Sequence, residues 1–122
     1  MGMASSDELA AFIASSFRSV WALELLLLLK HGARDHTTEE LVTSLRASPS
    51  VVEKALEALI AAGLAGSEKD RFAYMPISSQ MATLVEETEQ LYRSRPDRVR
   101  RLIVASSNKG LAAFSDAFRL KD

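Results

Sequence analysis

Apolar and polar residues alternate with a helical period over most of this chain, most clearly between residues 37 and 63. Thr37 is followed three positions later by Glu40, the spacing of a capping box that satisfies free backbone N–H groups at a helix start. The next apolar positions fall on one helical face; they are Leu41, Val42 and Leu45. The pattern predicts a short amphipathic helix with Arg46 on its other side, which the residues Ala47-Ser48-Pro49-Ser50 bring to an end.

A second amphipathic helix is predicted directly after a one-turn break. Ser48 is a favourable N-cap, and Pro49 suits the first helical position, where no backbone N–H is needed. Gly63 stands where a left-handed residue commonly ends a helix. The apolar stripe between these ends has helical spacing; its members are Val52, Leu56, Leu59 and Ile60.

Two short extended runs, 64–67 and 71–75, flank a charged turn and predict a β-hairpin that ends at Pro76. Alternation would place Phe72 and Tyr74 on one face of the second strand. With a very short strand at 34–36, the expected sheet has two or three strands.

Two further helices precede this unit. The first, over 4–18, is capped by Ser5 or Ser6 and has one apolar face; it comprises Leu9, Phe12, Ile13 and Phe17. The second, over 20–30, is capped by Ser19 and contains five consecutive leucines, which predicts a helix buried on most sides. A membrane span needs roughly 20 apolar residues, about twice this run, so a cytoplasmic protein without a membrane partner is expected.

A long helix capped by Ser78 or Ser79 is predicted to run to Arg93. Its apolar positions form a heptad-like seam: Met81, Leu84, Val85, Thr88, Leu91 and Tyr92. Its polar positions are expected on the opposite face: Glu86, Glu87, Glu89 and Gln90. The seam could pack on its own domain or form a dimer interface.

Pro96 breaks this helix, and another begins at Asp97 with three inward positions, Val99, Leu102 and Ile103. A last apolar stripe lies in 111–118, formed by Leu111, Phe114, Ala117 and Phe118. A short helix of this kind is not stable alone. It is expected to dock on its own core, on a neighbouring subunit or on a partner protein.

The composition of the 122 residues excludes several kinds of binding and catalytic site. The length fits one domain, divided into an N-terminal helix (4–18), a central unit (19–76) and a helical extension (77–122). Cysteine is absent, and the five glycines are scattered, which excludes a thiolate metal site and a glycine-rich phosphate loop. His31 and His36 are interpreted as members of one solvated loop. No catalytic residue, metal ion or cofactor is expected, and the protein is not predicted to be an enzyme.

The segment 37–66 reads TTEELVTSLRASPSVVEKALEALIAAGLAG, and the hairpin follows it directly. Together, over roughly residues 20–76, these features resemble the winged-helix bacterial transcription regulators of the MarR-like and ArsR-like kind. The resemblance implies a mainly α fold with a small β-wing, a winged helix-turn-helix with an N-terminal helix and a helical C-terminal extension. It also implies sequence-specific binding of double-stranded DNA by a homodimer, whose seam would involve the helix at 79–93, the N-terminal helix, or both.

The same resemblance assigns candidate DNA contacts. The helix at 49–62 would enter the major groove, and the hairpin would reach phosphates or the minor groove. Base edges would be met by Ser48, Ser50, Val51 and Lys54. Phosphates would be held by Thr38, Arg46, Lys69 and Arg71.

The excess of acidic residues in 20–75 suggests an alternative to DNA binding. Residues 20–75 contain six basic and eight acidic side chains, whereas phosphate neutralisation usually supplies most non-specific DNA affinity. The alternative is an adaptor that uses the same fold to bind a transcription-machinery protein such as a sigma factor or polymerase subunit. The local basic patch comprises Arg93, Arg95, Arg98, Arg100 and Arg101; it could contact phosphate or an acidic protein surface, or form a solvated helix face.

Overall fold

The computed structural model describes residues 5–32 and 35–105. A sixth helix, α6, runs from residue 96 to the last described position, 105, and the predicted helix at 111–118 lies outside the described residues. The preceding elements are, in order, α1 (Ser6–Ser16), α2 (Val20–His31), β1 (His36–Thr37), α3 (Thr38–Leu45), α4 (Pro49–Ala61), β2 (Ala65–Glu68), β3 (Arg71–Tyr74) and α5 (Ser79–Ser94).

The first five helices each begin at a hydroxyl N-cap, as the sequence predicts. The caps of α1 and α3 are complete capping boxes, in which Ser5 pairs with Glu8 and Thr37 pairs with Glu40. The other three caps each accept one backbone N–H, and they are Ser19, Ser48 and Ser78. Local side-chain chemistry therefore determines where these helices start.

The core is built around α2, which packs against α3, α4 and β3. Leu23, Leu25 and Leu26 are fully buried, so the prediction of a helix buried on most sides is confirmed. Other elements contribute the rest of the core: Ile13, Phe17, Leu41, Val52, Leu56, Leu59, Leu64, Val85, Val99 and Ile103.

The sheet is three-stranded and antiparallel, with the order β1-β3-β2. Phe72 of β3 pairs with His36 on one side and with Ser67 on the other. Lys69 and Asp70 turn the chain between β2 and β3, and both have positive φ, as a two-residue hairpin turn of type I′ requires. The predicted short strand at 34–36 is found slightly later, at His36–Thr37.

Gly63 ends α4 with a φ of +79°, as expected. The N–H of Leu64 donates to the carbonyl of Leu59 at 3.0 Å, which closes the helix end. The positive φ is what favours glycine here, because the nearest atom to a Cβ at position 63 would be Cδ1 of Ile77, at 2.9 Å, and that side chain is exposed and can move.

Three expectations about burial are wrong. Glu87 and Glu89 are buried rather than solvent-facing, because α1 covers one flank of α5 and the end of α2 contacts another. Ile60 is 38% exposed, since it lies at the edge of the α4 stripe. The histidines do not share a solvated loop: His31 ends α2 in contact with Glu89, and His36 is buried in β1.

Candidate nucleic-acid interface

Helix α4 has one buried face and one exposed face. The buried face packs against α2 and α3 through Val52, Ala55, Leu56 and Leu59. On the other side, Ser50, Val51 and Lys54 are all exposed within the first two turns. The structure therefore brings three of the four predicted base-contacting residues onto one surface, and Ser48, the fourth, lies exposed at the helix start.

The turn between α3 and α4 is fixed by backbone geometry at Arg46. This residue has a left-handed conformation, with φ 56° and ψ 39°, and its N–H donates to the carbonyl of Val42. Ala47 N–H donates to the same carbonyl at 3.3 Å, which closes α3 as a Schellman-type end. The Arg46 side chain is exposed, whereas Thr38 is half-buried at the opposite end of α3.

The two basic residues of the hairpin have different surroundings. Lys69 is exposed in the turn at the hairpin tip. Arg71 lies in β3, where its Nε donates to Asp35 Oδ1 at 2.9 Å and its Nη2 lies 3.8 Å from Glu40 Oε1. The hydrogen bond to Asp35 raises the pKa of Arg71 above its ordinary value. Arg71 thus joins the hairpin to the residues preceding α3.

The exposed face of α4 is not basic. Lys54 stands between two acidic side chains, Glu53 and Glu57, and all three are exposed. The electrostatic attraction to phosphate would have to come from residues outside this helix, such as Arg46 and Lys69.

The arginine cluster at 93–101 is partly engaged with its own surroundings. Arg93 Nη2 donates to Glu89 Oε2 at 2.7 Å. Arg100 lies 3.6 Å from Asp97 Oδ1 and 5.7 Å from the centre of the Tyr92 ring. Arg101 Nε donates to the backbone carbonyl of Asp97. The remaining two members, Arg95 and Arg98, are exposed.

Tyr92 connects this cluster to α2. Its hydroxyl donates to the carboxylate of Glu24, and Arg100 lies over its ring. Burial, followed by the hydrogen bond to Glu24, raises the pKa of Tyr92 above its ordinary value. The start of α6 is therefore linked through Tyr92 to the first half of α2.

A groove beside α4 was not predicted. It has a volume of about 580 Å³ and lies between the start of α2 and the exposed face of α4. Trp21, 46% exposed, lines it together with Val51 and Lys54. In the sequence, Trp21 is part of a continuous apolar run, so only its bulk and its position at the start of the helix hint at partial exposure.

Within residues 5–32 and 35–105, no group of three or more His, Cys, Asp and Glu side chains is placed to hold a metal ion. In the same part of the chain no single helix has the length and hydropathy of a membrane span; α1 and α2 together do, but they meet at a bend of 101°.

The chain is similar in fold to a solved structure, but its sequence matches no protein-family model. No protein-family model matches the chain, and no curated protein matches it. Among solved structures, it is similar to the homodimeric winged helix-turn-helix DNA-binding domain of a possible ArsR-family transcriptional regulator from Mycobacterium bovis. The two share 19% identity with a TM-score of 0.51, over 78% of this chain and 93% of the other.

The fold is a winged helix-turn-helix. Helices α3 and α4 form the helix-turn-helix, and β2 and β3 form the wing, with β1 as the third strand of the sheet. Helix α1 precedes this unit, and α5 and α6 extend it, as the resemblance in sequence implied.

Proposed function

We propose that this winged helix-turn-helix binds double-stranded DNA as a homodimer and regulates transcription. The observation that carries the proposal is the exposed first half of α4, a helix that packs against α3 and lies beside a wing. An exposed helix of this kind is the element that enters the major groove in helix-turn-helix proteins. The Mycobacterium bovis domain of similar fold is described as a homodimeric DNA-binding domain.

Base contacts would come from the exposed side of α4. Lys54 can donate to the O6 and N7 acceptors of guanine, and Ser50 can donate to or accept from several bases. Val51 offers an apolar surface that suits the methyl group of thymine. Ser48 caps the helix through its side chain, so its contact would be made at the helix start.

Phosphate contacts would come from residues around that helix. Arg46 and Thr38, at the two ends of α3, and Lys69 at the wing tip would hold the backbone of the duplex. Arg71 would contribute mainly by fixing the wing, because Asp35 already pairs with its guanidinium. Arg95 and Arg98 could supply further charge.

The homodimer would form through α1 and α5, which pack against each other within one chain. Leu84 and Leu91 of α5 and Leu9 of α1 are only half-buried, although they pack against the core. They leave apolar surface that a second copy could cover. A dimer would also double the number of phosphate contacts, which matters for a domain with few basic residues.

Fluorescence polarisation tests the proposal: the full chain is titrated into labelled genomic duplex fragments at low and moderate salt. The expected result is binding whose logarithmic affinity falls linearly with the logarithm of salt concentration. One or a few fragments should bind more tightly than the rest. Absence of salt-sensitive binding at low ionic strength would contradict the proposal.

A second candidate function is favoured by the charge on α4. Because two glutamates flank its one lysine, the same exposed face could bind a protein of the transcription machinery, such as a sigma factor or polymerase subunit. Binding of such a protein by a chain that binds no duplex in the polarisation titration would support this adaptor function.

A further inference from the structure

A hollow of about 450 Å³ is lined by residues of α2, α3, α5 and α6, and we call it the Glu24 hollow. Its apolar wall consists of Val20, Trp21 and Leu45, and its polar groups belong to Glu24, Tyr92 and Arg100. A concave site that combines an apolar wall with a few converging polar groups is the usual form of a small-molecule site.

Glu24 and Arg100 bring opposite charges to this hollow, and each contacts a different part of Tyr92. The Tyr92 hydroxyl donates to the Glu24 carboxylate, and the Arg100 guanidinium lies 5.7 Å from the centre of the tyrosine ring. Within the described part of the chain, Glu24 and Arg100 form no ion pair with each other. An acid and a base therefore line one hollow without neutralising each other.

Both charged groups keep hydrogen-bonding capacity for a ligand. A carboxylate accepts several hydrogen bonds through its oxygens, and the Tyr92 hydroxyl supplies one to Glu24. A guanidinium has several N–H donors, and Arg100 lies 3.6 Å from Asp97, whose side chain is 86% exposed. Glu24 is thus able to accept from an ammonium group, and Arg100 is able to donate to a carboxylate.

We propose that the Glu24 hollow binds an α-amino acid with an aromatic side chain. Its ammonium group would donate to Glu24, its carboxylate would accept from Arg100, and its ring would lie against Trp21. The indole of Trp21 is 46% exposed, and contact between two aromatic rings stabilises a complex beyond the area that it buries. The volume of the hollow falls within the range of small-ligand sites, roughly 300–1,000 Å³.

The two charges of the hollow favour a ligand that carries both charges itself. A ligand with only an ammonium group or only a carboxylate would remove water from the second charged residue without giving it a partner. Burying a charge without a partner is unfavourable. An amino acid pairs with both residues at once.

The bound amino acid would also contact the end of α3, because Ser44 and Leu45 line the hollow directly before the left-handed residue Arg46. It would then join α6 to the turn that positions α4. This consequence rests on the proposed function, whereas the binding of the amino acid does not.

Trp21 reports the binding directly, because it is the one tryptophan in the sequence. The probe is L-phenylalanine, titrated into the full chain without DNA while the emission of Trp21 is recorded at an excitation that phenylalanine does not absorb. Phenethylamine, which lacks the carboxylate, and 3-phenylpropionate, which lacks the ammonium group, are titrated in parallel. L-Phenylalanine should give a saturable change with an affinity about tenfold or more above that of either analogue, because each analogue loses hydrogen bonds to a charged group.

Two variants check the same contacts from the side of the protein, and circular dichroism verifies that each keeps its helices. Glu24→Gln should weaken the binding of L-phenylalanine about tenfold without weakening that of 3-phenylpropionate, which has no ammonium group. Arg100→Gln should weaken the binding of L-phenylalanine without weakening that of phenethylamine, which has no carboxylate. Arg101→Gln is the matched control: it removes the same charge from an exposed position of α6 that does not line the hollow, and it should keep wild-type affinity.

Absence of a saturable emission change with L-phenylalanine would overturn the proposal, and so would equal affinities for L-phenylalanine and both analogues. Wild-type affinity in both Glu24→Gln and Arg100→Gln would overturn it as well. Because no DNA is present, these results are independent of the polarisation test of DNA binding.

Discussion

Lys30 Nζ donates a hydrogen bond of 2.8 Å to Glu89 Oε1, which joins the end of α2 to α5 across 59 positions of sequence. Glu89 is only 3% exposed, and its carboxylate also contacts His31 and the guanidinium of Arg93. A buried carboxylate is tolerated when it is paired and hydrogen-bonded, as this one is. The C-terminal extension is thereby attached to the central helix of the winged-helix unit.

Glu89→Gln should destabilise the protein at neutral pH. The substitution keeps the shape of the side chain but removes the charge that three partners share. Loss of hydrogen bonds to a charged group typically costs about 1.5–3 kcal/mol, and we expect a decrease of this size in the free energy of unfolding, measured by urea denaturation. Glu86→Gln is the matched control, because Glu86 also pairs with Lys30, at 3.1 Å, but is largely exposed. A control loss equal to that of Glu89→Gln would contradict this role.

The pH dependence of stability should change in the same variant. Burial acts to raise the pKa of Glu89, but the hydrogen bonds from Lys30 and His31 outweigh it and hold the pKa below its ordinary 4.5. A group with a lowered pKa in the folded state stabilises the protein above its unfolded pKa, and that stability is lost as pH falls through the folded value. Well above pH 4.5, where the carboxyl is ionised in both the folded and the unfolded chain, this contribution is fully present. Below pH 4.5 the wild type should lose stability more steeply than Glu89→Gln, as followed by thermal unfolding at a series of pH values.

The helix starts could be predicted from the sequence because each depends on residues three positions apart. Ser48 and Thr37 cap their helices through such local contacts, and Gly63 ends α4 for an equally local reason. The contacts of Glu89 with Lys30 and of Arg71 with Asp35 could not be predicted, since these partners lie 59 and 36 positions away. Periodicity also misplaced Glu87 and Glu89, because it assumes that a helix has one covered side, whereas α5 is covered on more than one.

In the candidate interface, too, features that depend on nearby residues could be predicted, and features that depend on the packing of distant elements could not. The positions of Ser50, Val51 and Lys54 follow from helical period alone, and the structure places them together. The groove beside α4 depends on how α2 and α4 pack, which sequence period does not describe.

Arg46→Gly should increase the stability of the protein and weaken its binding to DNA. Arg46 has a left-handed conformation, which costs a non-glycine residue roughly 1–2 kcal/mol, so glycine should raise the free energy of unfolding by up to that amount. If the Arg46 side chain holds a phosphate, the same variant should bind all duplexes more weakly and with a smaller salt dependence. Chemical denaturation and polarisation titration measure the two effects. A more stable variant whose affinity for duplex and salt dependence are unchanged would show that Arg46 does not contact the duplex.

Lys54→Ala should reduce specific binding more than non-specific binding. A bidentate lysine contact to guanine contributes about 1–3 kcal/mol of discrimination, so the preferred fragment should lose affinity by that amount while random duplex changes little. Glu57→Gln, also on the exposed face of α4, is the comparison. It removes a negative charge near the duplex and should strengthen binding to all fragments. Equal losses on preferred and random duplex in Lys54→Ala would indicate a phosphate contact instead.

Leu84→Lys tests the proposed homodimer seam. Leu84 is half-buried on α5, so a lysine there can direct its charged end outwards while its stem stays against the core. Dimer formation would bury that charge, and the variant should therefore be monomeric by multi-angle light scattering while retaining its helical circular dichroism. Gln90→Lys adds the same charge at an exposed position of the same helix and should leave the mass unchanged. A folded Leu84→Lys protein with the mass of the wild-type dimer would place the seam elsewhere.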